Sequence, residues 1–331
     1  MDNILLNGIN NINTKLTMNI FNDKIYYNDK ILNLDNKLVI DNINIEILNI
    51  KNNTISLKII LSNLSNLKII HCSNCNIKYI KFINIKNLTT LIINDSKLNY
   101  INLDKLNNII NLELVNNNLN DININNLKNL EILNLMDNNI KNINLTNNKK
   151  IKYLNLSYNK LENINLSQNI KLQNLILDYN YLNNINLSNN ILLTELSLMH
   201  NKLIDLYVNN LINLKYLDCS ENSIIDLELS KLNKLTKLYC LFNRIKYIEL
   251  DKLENLKLFD GDINYFDIID ISKNNKLKDI KFRCNKFICK NEKQINYIKN
   301  INIEYKECNY ELNTQNIINE YLDNVYYLKK D

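Results

Sequence analysis

The chain of 331 residues has no proline, no tryptophan and no alanine, only two glycines, Gly8 and Gly261, and only two arginines, Arg244 and Arg283. Two glycines cannot build a phosphate-binding loop of the dinucleotide or Walker type, because such loops need several close backbone approaches. Nucleotide enzymes of those classes are excluded. No run of 18 or more apolar residues occurs, and the start, MDNILLNGINNIN, has no basic segment followed by an apolar stretch. Neither a membrane-spanning helix nor a secretory leader is expected, which makes the cytoplasm the expected location. The only histidines are His71 and His200, so a Ser/His/Asp or Cys/His set would have to use one of these two, and neither has a nucleophile in register. The chain is not expected to be an enzyme. What it has in excess is asparagine, close to a quarter of the residues. The scarce residues share GC-rich codons, so the bias reads as an AT-rich genome acting on composition. With 40 basic and 35 acidic residues the net charge of +5 is too nearly balanced to announce a polyanion binder. The seven cysteines are an odd set scattered through a long chain, unlike the paired frameworks of small secreted domains, and are expected to be reduced.

The same phase recurs every 21 residues, with units starting at Leu67, Leu88, Ile109, Leu130, Ile151, Leu172, Leu193, Leu214, Leu235, Leu256 and Leu277. A slipped unit from Ile45 precedes them by 22 residues, so about twelve coils are expected over residues 45–287. In the unit from Ile151, apolar residues fall at positions 1, 4, 6, 11, 14 and 16, and position 9 is Asn159. The alternation at positions 4 and 6 is that of a short strand with one face buried. One such coil cannot enclose its apolar face, but stacked copies share an interior, giving a solenoid that needs no metal or cofactor. Position 9 is Asn at 117, 138, 159, 180, 201, 222, 243, 264 and 285. An amide both donates and accepts, so these side chains are expected to form a ladder that satisfies the turning backbone of neighbouring coils. Replacing Asn180 is then expected to be harmful and replacing Asn183, at a variable slot, harmless.

The run Leu172-Gln-Asn-Leu175-Ile-Leu177-Asp-Tyr-Asn180-Tyr-Leu182 resembles the leucine-rich repeat signature, and the short unit is similar to the 21- and 22-residue bacterial, internalin-like class. The composition resembles that of the leucine-rich repeat genes of insect poxviruses. These resemblances imply an α/β solenoid: a curved, right-handed superhelix with a mostly parallel β-sheet on the concave face and a largely extended, irregular convex face, used to bind protein. Departures are Cys75 and Ser96 at the ladder position and Gly261 at a core position, which mark locally irregular coils.

In that geometry positions 3, 5, 7 and 8 point out from the sheet. Position 8 reads Tyr158, Tyr179, His200, Glu221, Phe242 in successive coils, beside Tyr153, Ile176, Met199, Tyr216 and Tyr239 on adjoining columns. Exposed aromatic groups on a rigid sheet are characteristic of recognition surfaces, although frequent tyrosine could also cover a sheet that binds nothing. The four columns carry ten acidic residues, among them Asp137, Asp178, Glu195, Asp218, Glu221, Asp260 and Asp262, against Lys237, Lys281 and Arg283. Lys68, Lys152, Lys215, Lys257 and Lys278 flank the strands at position 2. An acidic face disfavours nucleic acid, which needs cations at the contact, and favours a protein or peptide with basic and apolar residues. The residues expected to carry partner binding are Tyr153, Tyr158, Ile176, Asp178, Tyr179, Glu195, Met199, His200, Tyr216, Asp218, Glu221, Tyr239 and Phe242. No membrane contact is expected. Rival readings are a substrate-recognition subunit of a larger assembly such as a ubiquitin ligase, and a surface adhesin.

His71-Cys72-Ser-Asn-Cys75 looks superficially like a C-x-x-C pair, but Cys72, Cys219 and Cys240 fall at core position 6 and Cys75 at the ladder position, so packing rather than metal or redox chemistry is expected. The segment Asn285-Lys-Phe287-Ile-Cys289 resembles the cysteine-bearing caps of extracellular repeats, a likeness that admits one bridge, Cys289 with Cys308. Asn155-Leu-Ser157 is a glycosylation sequon on a strand; Asn144, Asn165 and Asn186 repeat it. Residues 1–44 lose the period and are expected to cap the first coil, with a hairpin joining Lys30–Leu34 to Lys37–Ile40. Residues 288–331 are expected to cap the last coil with an amphipathic helix formed by Ile317, Ile318, Tyr321, Leu322, Val325 and Tyr326.

Overall fold

Each coil contributes a strand where the Leu-x-Leu alternation buries one face, and the strands stack in parallel. The structure, a computed structural model, describes residues 4–7, 17–27, 30–33, 36–282, 284–289 and 309–312, with side chains over 17–26 and 36–282. The chain divides into two units, Met1–Leu172 and Gln173–Asp331.

The first unit holds β1 (Ile4–Asn7), β2 (Thr17–Phe21), β3 (Lys24–Tyr27), β4 (Lys30–Asn33), β5 (Lys37–Asp41), β6 (Ile47–Ser62), β7 (Ile69–Ile83), β8 (Thr90–Asn94), β9 (Asn111–Glu113), β10 (Ile132–Asn134) and β11 (Tyr153–Asn155). Its front row is β2, the starts of β6 and β7, then β8 to β11, all parallel. The step from Ile47 to Ile69 is the 22-residue spacing, and from Ile69 to Thr90 it becomes 21. A back row consists of β1, β5 and the ends of β6 and β7, again parallel. β6 and β7 are long because each carries the chain round the corner from front row to back row. Parallel stacking thus reaches upstream of residue 45. The antiparallel pairing near the start is β2–β3–β4, turning at Asn22-Asp23, rather than the expected hairpin at Asp35-Asn36. The strand after that turn, β5, instead joins the back row, because Leu38 and Ile40 are buried against Ile59 and Leu61.

The second unit stacks β12 (Asn174–Ile176), β13 (Glu195–Ser197), β14 (Tyr216–Asp218), β15 (Lys237–Tyr239), β16 (Leu258–Asp260) and β18 (Asp279–Lys281) in parallel, each displaced from the last by one 21-residue period. β17 (Phe266–Asp270), β19 (Cys284–Cys289) and β20 (Asn309–Leu312) make a separate three-stranded parallel sheet. There is no helix among the described residues. The expected capping helix and the Cys289–Cys308 bridge lie outside them.

The interior is the expected one. Leu193, Leu196, Leu198, Leu203, Leu206 and Val208 fill positions 1, 4, 6, 11, 14 and 16 of one coil and are all buried, as is Leu175. The asparagine ladder is present bond by bond. Asn222 Nδ2 donates to the carbonyl of Leu198 in the preceding coil at 2.9 Å, and its Oδ1 accepts the N–H of Leu203 at 3.0 Å. Asn138, Asn159, Asn243 and Asn264 repeat this pattern. At the departures, Cys75 places its thiol 3.4 Å from the Ile50 carbonyl and accepts from Asn53 Nδ2 at 3.7 Å, so sulfur stands in for the amide. Ser96 turns its hydroxyl onto the Asn94 carbonyl instead.

Gly261 has a direct steric reason. A Cβ there would lie 2.5 Å from Cζ of Phe259 and 2.9 Å from a ring carbon of Phe266. Phenylalanine replaces leucine at position 4 of this coil, and the missing side chain at position 6 makes room for the ring. A second asparagine column, unread from the sequence, occupies position 19. Asn148 donates to the carbonyls of Ile124 at 3.0 Å and Leu127 at 2.9 Å, and Asn274 does the same to Leu250 and Leu253. Leucine fills this slot in other coils, as at 211, 232 and 253.

Candidate functional site

Position 8 of each coil, past the short front strands and inside the long β6 and β7, sits at a corner, and its backbone is left-handed. Asn52, Asn74, Asp95, Asn116 and Asp137 in the first unit all have φ between 51° and 56°. Asparagine and aspartate tolerate this conformation, because a short polar side chain can bond locally. Here they also link to one another: Asn74 Nδ2 donates to Asn52 Oδ1 at 3.1 Å, and Asn116 Nδ2 to Asp95 Oδ1 at 2.7 Å. Tyr158, in the last coil of this unit, takes the same φ of 54° and leaves 44% of its surface exposed.

In the second unit the corner column is Tyr179, His200, Glu221, Phe242 and Ile263, with φ again between 52° and 54°. Apart from histidine, none of these types favours that backbone. The first three side chains touch in sequence. The Tyr179 and His200 rings stack at 4.6 Å and 23°, and His200 Nδ1 lies 2.8 Å from Glu221 Oε2. Phe242 and Ile263 stand out at 56% and 45% exposure. Just past the corner Lys202 lies over the Tyr181 ring at 4.9 Å.

Beside this strip, the register puts Ser197 next to Asp218 and Asp218 next to Tyr239 on one column, with Glu195 next to Tyr216 on another. The Tyr216 and Tyr239 rings are 5.6 Å apart, and the Tyr216 hydroxyl donates to Asp218 at 3.4 Å. Asp178 accepts the Met199 N–H at 2.9 Å and a bond from the Ser197 hydroxyl. Burial pushes the carboxyls of Asp178 and Asp218 above the ordinary aspartate range, helped by the charge of Asp218 at the first and of Glu221 at the second, while these hydrogen bonds oppose it. Asp260 is raised too by burial, with Lys281 Nζ at 3.6 Å pulling it back. Burial and the same aspartates push the Tyr216 and Tyr239 phenols up.

Of the expected binding residues, Ile176, Asp178, Tyr179, Glu195, Met199, His200, Tyr216, Asp218, Glu221, Tyr239 and Phe242 all lie on this outward face of the second unit and are half-buried or exposed. Tyr153 and Tyr158 belong to the first unit, where Tyr153 is half-buried on β11 and Tyr158 is exposed at its corner. Sequence reasoning missed Ile263 and, more broadly, the left-handed backbone of the whole column. The signal was present, since five Asn or Asp residues in a row at one unit position mark a site of positive φ. Cys72, Cys75, Cys219 and Cys240 are free and buried, and burial raises their thiols. Asn155 is buried, with its amide oxygen accepting from both the N–H and the hydroxyl of Ser157. That sequon is closed to a glycan.

Comparison with known proteins bears on the fold. No family model and no curated protein sequence matches the chain. Among solved structures it is similar to the functional domain of InlJ from Listeria monocytogenes, which includes a cysteine ladder, at 22% identity over 80% of this chain and 72% of that one, with a TM-score of 0.61. It is similar to the leucine-rich repeat protein LIC12759 of Leptospira interrogans at 22% identity, covering 73% of this chain and 80% of that one, TM-score 0.54. The leucine-rich repeat ectodomain of the Arabidopsis thaliana receptor kinase GASSHO1/SCHENGEN3, solved in complex with CASPARIAN STRIP INTEGRITY FACTOR 2, matches at 20% identity over 84% of this chain and 40% of that one, TM-score 0.57. The chain is a leucine-rich repeat solenoid of parallel strands.

Proposed function

We propose that this is a noncatalytic scaffold that binds a protein or peptide partner on the outward sheet face of the second unit. The observation that carries the reading is the corner strip Tyr179, His200, Glu221, Phe242 and Ile263, bulky side chains held at positive φ where asparagine would sit with less strain. Backbone strain of this kind persists where a surface is selected for something other than stability. The neighbouring carboxylates Asp178, Glu195, Asp218 and Glu221 fit a partner that brings lysine or arginine among apolar anchors. A receptor ectodomain of the same fold that is solved in complex with another factor supports recognition as a use of such a fold. No helix of the described residues is long and apolar enough to cross a membrane, and the four free thiols accord with a reducing, cytoplasmic setting.

The test is selection from a random dodecapeptide library displayed on phage, followed by affinity measurement on the synthetic winners. The expected winners carry lysine or arginine beside aromatic or aliphatic residues, and lose about tenfold in affinity or more on Phe242→Ala or Glu221→Lys. Lys149→Glu, at an exposed position of the first unit, leaves them unchanged. Winners that are acidic, or indifferent to both face variants, overturn the assignment.

A further inference from the structure

The back row of the first unit stops abruptly. Its last strand is the end of β7, and the coil that follows has no strand at residues 99–106. The Ile83 carbonyl accepts the Asn63 N–H at 2.9 Å on the β6 side. Alternate residues of a parallel strand turn their polar groups the opposite way, so Ile80 and Phe82 direct N–H and C=O away from β6, towards residues 100–106. Among the described residues no hydrogen bond joins those groups to that coil. A groove of 430 Å³ runs along this edge, lined among others by Tyr79, Lys81, Phe82, Tyr100, Asp104 and Lys105. Phe82 is half-buried there, whereas its register partner Leu61 in the preceding coil is wholly buried.

A strand edge with free main-chain donors and acceptors beside an open groove is the geometry by which an extended peptide adds to a sheet. We propose that the Tyr79–Ile83 edge takes an extended, acidic segment of a partner protein as an added β-strand. Its main chain pairs with Ile80 and Phe82, an apolar side chain rests on the Phe82 ring, and the carboxylates on the alternate face meet Lys81 and Lys105. The rim fixes the sign of the charge: Lys78 and Lys86, both exposed, extend the two lysines of the groove along the strand. The one carboxylate in the groove, Asp104, already accepts from Asn123 Nδ2 at 3.4 Å. This site is independent of the face proposed above.

The experiment uses the full chain and fluorescein-labelled Thr-Val-Glu-Val-Glu-Val-Thr, read by anisotropy, with two control peptides, one N-methylated at alternate amides and one with lysine for glutamate. The expected result is saturable binding that drops at least tenfold for each control, with hydrogen exchange at the Ile80 and Phe82 amides slowed by the glutamate peptide. Lys81→Glu/Lys105→Glu reverses the preference between glutamate and lysine peptides, and Lys149→Glu, exposed but not lining the groove, leaves binding of the glutamate peptide unchanged. Equal binding of the N-methylated peptide, unaltered exchange, or no binding at millimolar peptide overturns the proposal. Dimers seen by sedimentation, with those two amides protected before any peptide is added, overturn it as well, since the edge then belongs to a second copy of the chain.

Discussion

The first and second units turn the same corner with the same backbone and opposite chemistry. Asn52, Asn74, Asp95, Asn116 and Asp137 suit a left-handed backbone with short polar side chains, and four of them bond in two pairs, Asn74 to Asn52 and Asn116 to Asp95. Tyr179, Glu221, Phe242 and Ile263 hold the same φ against their preference, with His200 among them. Composition does not account for the change, because asparagine is the residue this chain uses most freely and the corner is where asparagine fits best. Tyr158 shows where the switch begins. The lesson is that a repeat's backbone is set by its core and ladder strongly enough to carry a foreign side chain at the corner, and that the residues so carried stand out as candidates for binding.

The comparison assumes that the ladder and core dominate in the second unit, and the largest expected effect tests that. Asn222→Leu removes the acceptor for Leu203 N–H and the donor to Leu198, Cys219 and Ser220, and is expected to destabilise by about 3 kcal/mol in urea denaturation. Asn183→Leu, exposed at a variable slot, should stay within about 0.5 kcal/mol. Gly261→Leu forces a side chain into the Phe259 ring and should lose about 1 to 3 kcal/mol through overpacking. Combining it with Phe259→Leu restores the ordinary leucine pattern and should recover most of the loss.

The corner itself is tested by exchange. Phe242→Asn should stabilise by about 1 kcal/mol, and Asp137→Phe should destabilise by a similar amount. If both changes are neutral, the corner stores no strain and the contrast between the units loses its meaning. The same Phe242→Asn protein should bind the selected basic peptides about tenfold more weakly, a gain in stability set against a loss of recognition.

The period, the buried positions and the ladder at position 9 were legible because each is enforced by residue type in most coils: an aliphatic side chain at 4 and 6, an amide at 9. The outward face was legible as well, since it follows from alternation once the strand is placed. The corner backbone was signalled only in the first unit, by five successive Asn or Asp residues at position 8; in the second unit that position varies in chemistry while its φ does not, and alternation carries no sign of φ. The second amide column stayed hidden because Asn148 and Asn274 share their slot with leucines that fill the same space. Near the start, the antiparallel excursion of β3 and β4 breaks the spacing between β2 and its partner in β6, Thr17 against Ile47, and so conceals stacking that the structure continues without a break. The back-row edge at Tyr79–Ile83 was invisible for another reason: it exists through what the following coil leaves unpaired.

The smallest expected effect concerns charge on the same face. Burial raises the Asp178 and Asp218 carboxyls, so the fold prefers them protonated. A carboxyl whose pKa is higher folded than unfolded stabilises below its unfolded pKa, and that contribution is lost as pH rises through the folded value. Where the two aspartates are ionised, they are so at the expense of stability. Asp178→Asn/Asp218→Asn should melt at a higher temperature than the parent at pH 7.5, and the difference should shrink as the pH is lowered into the range where the parent's aspartates take up protons. A double variant that melts lower at pH 7.5 would mean that the bonds from Ser197, Met199, Ser220 and Tyr216 outweigh desolvation, and the acidic face would then serve the fold rather than a basic partner.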